Sequence, residues 1–285
     1  MIYKKPFGMA FSGFIYNFGI LFFALFLVPL WGIYGLVFSV VLGAVLFMLV
    51  QICNTEVWNF YKNFKFVWEV AEWKSFIKEN LGRFFAVVTY QLYGVFILSL
   101  ASLSGEGGVS SFSIAYNIYL AGFFVLGASF STVLMPKIAE HHVKGEYDLQ
   151  KRNLRKNLLT IFVVSFFAGL VLFFTSKIII QILYHFSKLT PEKEIYIATL
   201  LSMLANSFPF FNVLEVIRKY LYSTGQIFLA GSLTVFMFAN VGIFTYILKI
   251  LSAKPILTCL IFGLNISIFI STIFILIILK QKKQI

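Results

Sequence analysis

The stretch SFPFFNVLEVIRKYLYSTGQ, residues 207–226, places a carboxylate at Glu215, a guanidinium at Arg218 and an ammonium at Lys219 inside an otherwise apolar run. On an α-helix, spacings of three and four residues bring Glu215 onto the same face as both cations, so an ion pair can form. Two kinds of chemistry are open to such a group. A carboxylate held within a membrane is a candidate coupling-ion or proton site. Alternatively, Glu215 pairs locally near the cytoplasmic end of a span whose cations follow the usual cytoplasmic bias. In the same run Pro209 stands between Phe208 and Phe210, where it makes either a hinge or a static kink.

The remaining polar residues of the apolar runs are few. Gln91, Asn117, Asn206 and Asn212 either line a cavity or join helices across a bundle. Arg83 and Lys78, at the start of another apolar run, either meet a phosphate at a cavity mouth or snorkel to the interface. His141 and His142 beside Glu140, and His185 further on, lack the regular ligand spacing of a zinc site and are read as solvated loop residues. Neither a metal nor a cofactor is expected. A polytopic transferase acting on isoprenoid phosphates needs clustered acids to hold magnesium. The eleven acidic residues here are scattered and include a single aspartate, Asp148, so a transporter is preferred to an enzyme.

These side chains must be positioned by helices in lipid. Of 285 residues, 60% are hydrophobic and 12% charged, with a mean hydropathy of +0.91, far from the balance of a water-soluble domain. A hydrocarbon core of about 30 Å is crossed by about 20 apolar residues in helical form. Eight runs meet that length: residues 7–28, 31–52, 84–103, 109–135, 158–182, 195–222, 227–248 and 255–279. They are long, continuous and not alternating, so the fold class is all-α, a polytopic membrane protein of about eight transmembrane helices. The first run is too long for a cleaved signal and is read as a retained helix. In GASFSTVLMPKIAEHH, residues 127–142, the apolar run ends at Met135. Pro136 is expected to break the helix just beyond the hydrocarbon, with Lys137 starting the aqueous side.

If the eight spans alternate, eighteen of the 23 lysines and arginines fall on one side and five on the other. That bias puts both termini in the cytoplasm. It also accounts for most of the net charge of +12 without nucleic acid, and suits a rim of anionic lipid headgroups. Three segments follow: two transmembrane helices over 1–55, an amphipathic cytoplasmic linker over 56–82, and a six-helix lobe over 83–285. Residues 137–157 are expected to carry a short solvated helix. Cys53 and Cys259 fall near opposite membrane faces, so no disulfide between them is expected. A weak internal echo relates residues 16–47 to 239–270. Each opens on Asn-x-Gly-Ile and returns through a helix containing Gly43 or Gly263, as in transporters built from repeated bundles.

Three stretches resemble the MurJ/MviN lipid II flippases of the multidrug/oligosaccharidyl-lipid/polysaccharide exporter superfamily. Residues 16–51 are similar to the family's fifth and sixth helices. Residues 107–146 are similar to its eighth helix and following loop, with the Gly-x-x-x-x-Thr-x-Leu-x-Pro pattern at Gly127, Thr132, Leu134 and Pro136. Residues 207–226 resemble its tenth helix, with Pro209, Tyr222 and Gly225.

The resemblance implies a flippase in the bacterial cytoplasmic membrane that alternates a central cavity between the two faces. Such a protein holds the pyrophosphate of a lipid-linked peptidoglycan precursor while the tail stays among the membrane lipids. Arg83, Gln91, Asn117, Asn212, Glu215, Arg218 and Lys219 become candidate substrate-binding residues, with Pro209 the candidate hinge. The chain departs from the family in two places. Ala115-Tyr116-Asn117 stands where relatives commonly have Ala-Asp-Arg, and Ile97-Leu98 where they often place an Asp or Asn followed by Arg. A MurJ-like flippase remains the reading, and those uncharged positions add some weight to the alternatives, a polysaccharide-unit flippase or multidrug exporter of the same superfamily, or a non-transporting scaffold. The resemblance starts at the family's fifth helix, so a fragment or split gene is expected, with a separate N-terminal chain as a possible partner.

Overall fold

The computed structural model describes residues 6–52, 70–185, 189–282 and 284–285, with side chains throughout except over 6–13, 51–52 and scattered positions of 70–86. Every regular element among the described residues is a helix. In chain order these are α1 (Pro6–Trp31), α2 (Ile33–Ile52) and α3 (Val70–Ser102). Next, α4 (Gly108–Phe123) runs through a π-helical segment, Phe124–Ala128, into α5 (Ser129–Val143). Then come α6 (Tyr147–Tyr184), α7 (Pro191–Ala205), α8 (Phe208–Ser223), α9 (Ile227–Leu251) and α10 (Ile256–Gln281).

Among the described residues six helices, counting α4 to α5 as one, are long and apolar enough to cross a membrane, and α7 with α8 makes a seventh if that bent pair is one span. The apolar part of α3 is shorter, Val87–Ser102, where the sequence suggests a span over 84–103. The sixth expected span, 195–222, is therefore two helices, bent by 51° at the break. Pro209 explains much of this: in the first turn of α8 its missing N–H costs nothing, whereas mid-helix it would clash with the preceding turn.

Pro136 does not end its helix, contrary to expectation. α5 continues through it to Val143, because a proline removes one backbone hydrogen bond and the following turns can still form. The stop comes at Gly145, whose φ of 70° is left-handed. There Glu146 N–H donates to His141 O at 3.0 Å and Gly145 N–H to His142 O at 3.2 Å, a Schellman cap. The short separate helix expected within 137–157 is absent as such. Its second half forms the first turns of α6, which is unbroken over 38 residues. The linker expected over 56–82 lies outside the described residues as far as 69, and its remainder belongs to α3.

The chain divides into two compact units, Met1–Trp73 and Lys74–Ile285. In the first, α2 packs on α1 at Gly43, where a Cβ would come within 3.0 Å of Tyr16 O. In the second, α10 packs on α9 at Gly263, where a Cβ would come within 3.2 Å of Val241 O. Each glycine of the sequence echo thus lets a returning helix approach its partner's backbone.

α8 forms the centre of the second unit. Phe208, Phe211, Leu214, Ile217 and Leu221 are buried, and α8 packs against α4, the π-helical segment, α5 and α6 and against α9 and α10. The outer helices turn large apolar side chains outward, among them Val125, Phe174 and Ile182. Faces of that kind suit lipid rather than water.

Candidate functional site

The site is built on α8 and on the irregular backbone that meets it. At the break, Ser207 N–H bonds Leu204 O at 3.2 Å instead of the acceptor four residues back. Ser207 Oγ lies 3.1 Å from Tyr119 OH of α4, and the Tyr119 ring packs on Phe208 and Phe211. One turn into α8, Asn212 is fully buried. Its Nδ2 donates to Phe208 O at 2.8 Å, while its Oδ1 has no hydrogen-bond partner among the described residues. Oδ1 fills the space beside Gly127 that a Cβ there would occupy. Gly127 lies in the π-helical segment, where Ser129 Oγ donates to Phe124 O, and Ser131 Oγ and Thr132 Oγ1 donate to Ala128 O. The small hydroxyl residues of GASFST thus supply donors to carbonyls of the irregular turn.

A further turn along, Glu215 is 5% exposed and forms an ion pair with Arg218, with Lys219 Nζ at 4.0 Å from its other oxygen. The pairing follows from the i,i+3 and i,i+4 spacing. The Arg218 guanidinium also lies over the ring of Tyr90 from α3, 5.3 Å from its centroid, a cation–π contact. Glu215 and Arg218 form part of the wall of a narrow crevice between α8 and α9, with Thr234 and Met237 opposite. Two cations stand against one carboxylate. The group therefore carries a net positive charge and guanidinium donors beyond the one engaged by Glu215, which suits a phosphate-like anion.

A family model described as Lipid II flippase MurJ matches residues 2–285. The chain belongs to the MurJ family. A probable lipid II flippase MurJ of Buchnera aphidicola subsp. Acyrthosiphon pisum (strain APS) is 24% identical over 220 residues, 76% of this chain and 43% of the relative. The chain thus spans under half the length of that curated MurJ. Among solved structures, lipid II flippase MurJ in an inward closed conformation matches with a TM-score of 0.73 at 19% identity, over 97% of this chain and 57% of the other. An inward-facing multidrug resistance MATE family transporter of the MOP superfamily matches with a TM-score of 0.74 at 16% identity, over 93% and 61%. At these identities the likeness is one of fold. MurJ is a transporter family, and with its apolar helices this member is a multi-pass protein of the bacterial inner membrane.

In this MurJ-family chain the structure gathers Pro209, Asn212, Glu215, Arg218 and Lys219 on one buried helix. It does not bring Gln91 or Asn117 into that group; both are exposed, on α3 and α4. The side chains of Arg83 and Lys78 lie outside the described residues. At the position where the resemblance leads one to expect an acid, Tyr116 stacks between Phe112 and Tyr119, with centroids 5.3 and 6.1 Å away. Ile97 is buried in the core, and Leu98 points outward. His141 and His142 are part-buried in the last turn of α5 rather than solvated. His141 Nδ1 lies 2.6 Å from Glu146 Oε2 and its Nε2 lies 3.2 Å from Asn153 Nδ2. No group of three metal-ligating side chains occurs among the described residues. Two residues escape the sequence reading. Tyr90 joins the charged group from another helix and leaves no local pattern. Asn265, an amide within the apolar α10, is a signal the sequence does offer.

Proposed function

We propose that this chain acts in moving a lipid-linked peptidoglycan precursor across the cytoplasmic membrane by alternating access. Arg218 and Lys219 receive the pyrophosphate, and Glu215 holds them while no headgroup is bound. The observation that carries the reading is the MurJ family match over residues 2–285. The buried cluster supports it chemically, since a pyrophosphate leaving water needs fixed cations, and a guanidinium offers paired donors. In this reading Asn212, Gln91 and Asn117 supply polar lining, Arg83 stands at the cavity mouth, and Pro209 marks the hinge. The excess of cations on one set of connections supports cytoplasmic termini. An inside-negative potential then favours outward movement of the anion by about 2.3 kcal/mol per charge per 100 mV.

Bacteria depleted of their own flippase provide the test. Expression of the chain should restore precursor that an impermeant reagent can reach outside the cell, and Arg218→Gln should lose that restoration. A cysteine placed at Lys144 should stay unlabelled in intact cells and react once the membrane is permeabilised. Inserted protein that leaves the precursor inside contradicts the transport reading, and labelling in intact cells contradicts the orientation.

A further inference from the structure

The break between α7 and α8 leaves backbone acceptors without their helical donors. Ser207 N–H, which in a continuous helix would serve Met203 O, bonds Leu204 O. Pro209 has no N–H to offer Ala205 O. Two side-chain amides converge on Met203 O instead. Asn206 Nδ2 donates from the break itself at 3.0 Å, and Asn265 Nδ2 donates from α10 at 2.8 Å. A carbonyl can only accept, so the NH2 of Asn265 must face it. Its Oδ1 is buried and has no hydrogen-bond partner among the described residues. Seven residues along the same face of α10, Thr272 Oγ1 lies 3.4 Å from Phe210 O in the first turn of α8, while bonding Ile268 O of its own helix at 2.7 Å.

We propose that Asn265 is the residue that sets the bend of the α7–α8 span, standing in from α10 for the missing Ser207 donor. The inference rests on the fold and goes beyond the transport reading. A buried polar group without a partner is costly. If the span straightened, Ser207 N–H would return to Met203 O and displace Asn265, leaving its amide unpaired in an apolar bundle. Bend and α10 position are therefore coupled: Met203 O keeps both of its amide donors only while α10 holds this register, and a change in one leaves the Asn265 amide to find a new partner. Asn206 lacks this coupling because it moves with the break.

The experiment is a distance measurement between spin labels at Ile195→Cys on α7 and Ser223→Cys on α8, in protein lacking Cys53 and Cys259. Asn265→Leu should shift and broaden the distance distribution. Asn240→Leu should leave it unchanged, because among the described residues Asn240 bonds only Phe236 O of its own helix. Should Asn265→Leu fail to insert, Asn265→Ser is too short to reach Met203 O and carries the same expectation. An unchanged distribution in the Asn265 variants, or an equal change in Asn240→Leu, overturns the proposal. A chain that moves no lipid still gives the answer.

Discussion

Glu215 is held in the core by two cations of its own helix, so its neutral replacement does more than remove one contact. Glu215→Gln keeps the shape but leaves Arg218 and Lys219 as uncompensated charges beside an apolar crevice. The expected loss of stability is on the order of 2 kcal/mol, below that of a fully enclosed pair because part of Arg218 remains exposed. Unfolding in detergent should show it, and Glu215→Gln combined with Arg218→Leu should recover part of the loss. A single variant as stable as the parent would mean the pair is solvated in the bundle. This pairing is legible in the sequence because helical spacing fixes it. Tyr90 beneath the guanidinium is not, since that contact comes from a helix far away in the sequence.

The two irregular elements, the π-helical segment and the α7–α8 break, meet through Gly127 and Asn212 and through Tyr119 and Ser207. Gly127→Ala should be destabilising by about 1–3 kcal/mol, because the methyl would overlap the buried Asn212 amide. Asn212→Ala, which vacates that space, should relieve part of the cost in the double variant. Purely additive losses, measured by thermal unfolding in detergent, would exclude the contact. Helices are readable along this chain wherever an apolar run has bilayer length. The irregularities are less so. The run over 195–222 is longer than the roughly 20 residues a span needs, and Asn206-Ser207 ahead of Pro209 marks the place to divide it. Pro136 misleads in the other direction, because the actual stop is the left-handed Gly145. Nothing local announces the π turn except Gly127 with its small hydroxyl neighbours.

For the molecule as a whole, a MurJ and a MATE transporter match this fold about equally well, so architecture alone does not choose a substrate. The family match is what supports the proposed lipid-linked pyrophosphate substrate, and the cluster on α8 is the positively charged group proposed to receive it. Tyr116 stands in an aromatic column with Phe112 and Tyr119, at a position where the resemblance leads one to expect an acid, and the proposed anion binding therefore rests on Arg218 and Lys219. The most direct test is headgroup accessibility in proteoliposomes holding the chain and a fluorescent lipid-linked pyrophosphate precursor, with a membrane potential imposed. The account predicts that an impermeant quencher reaches more of the inner-leaflet probe than in empty vesicles, and that Arg218→Gln returns the signal to the empty-vesicle level. Accessibility equal to that of empty vesicles, with the protein inserted and the potential present, would contradict it.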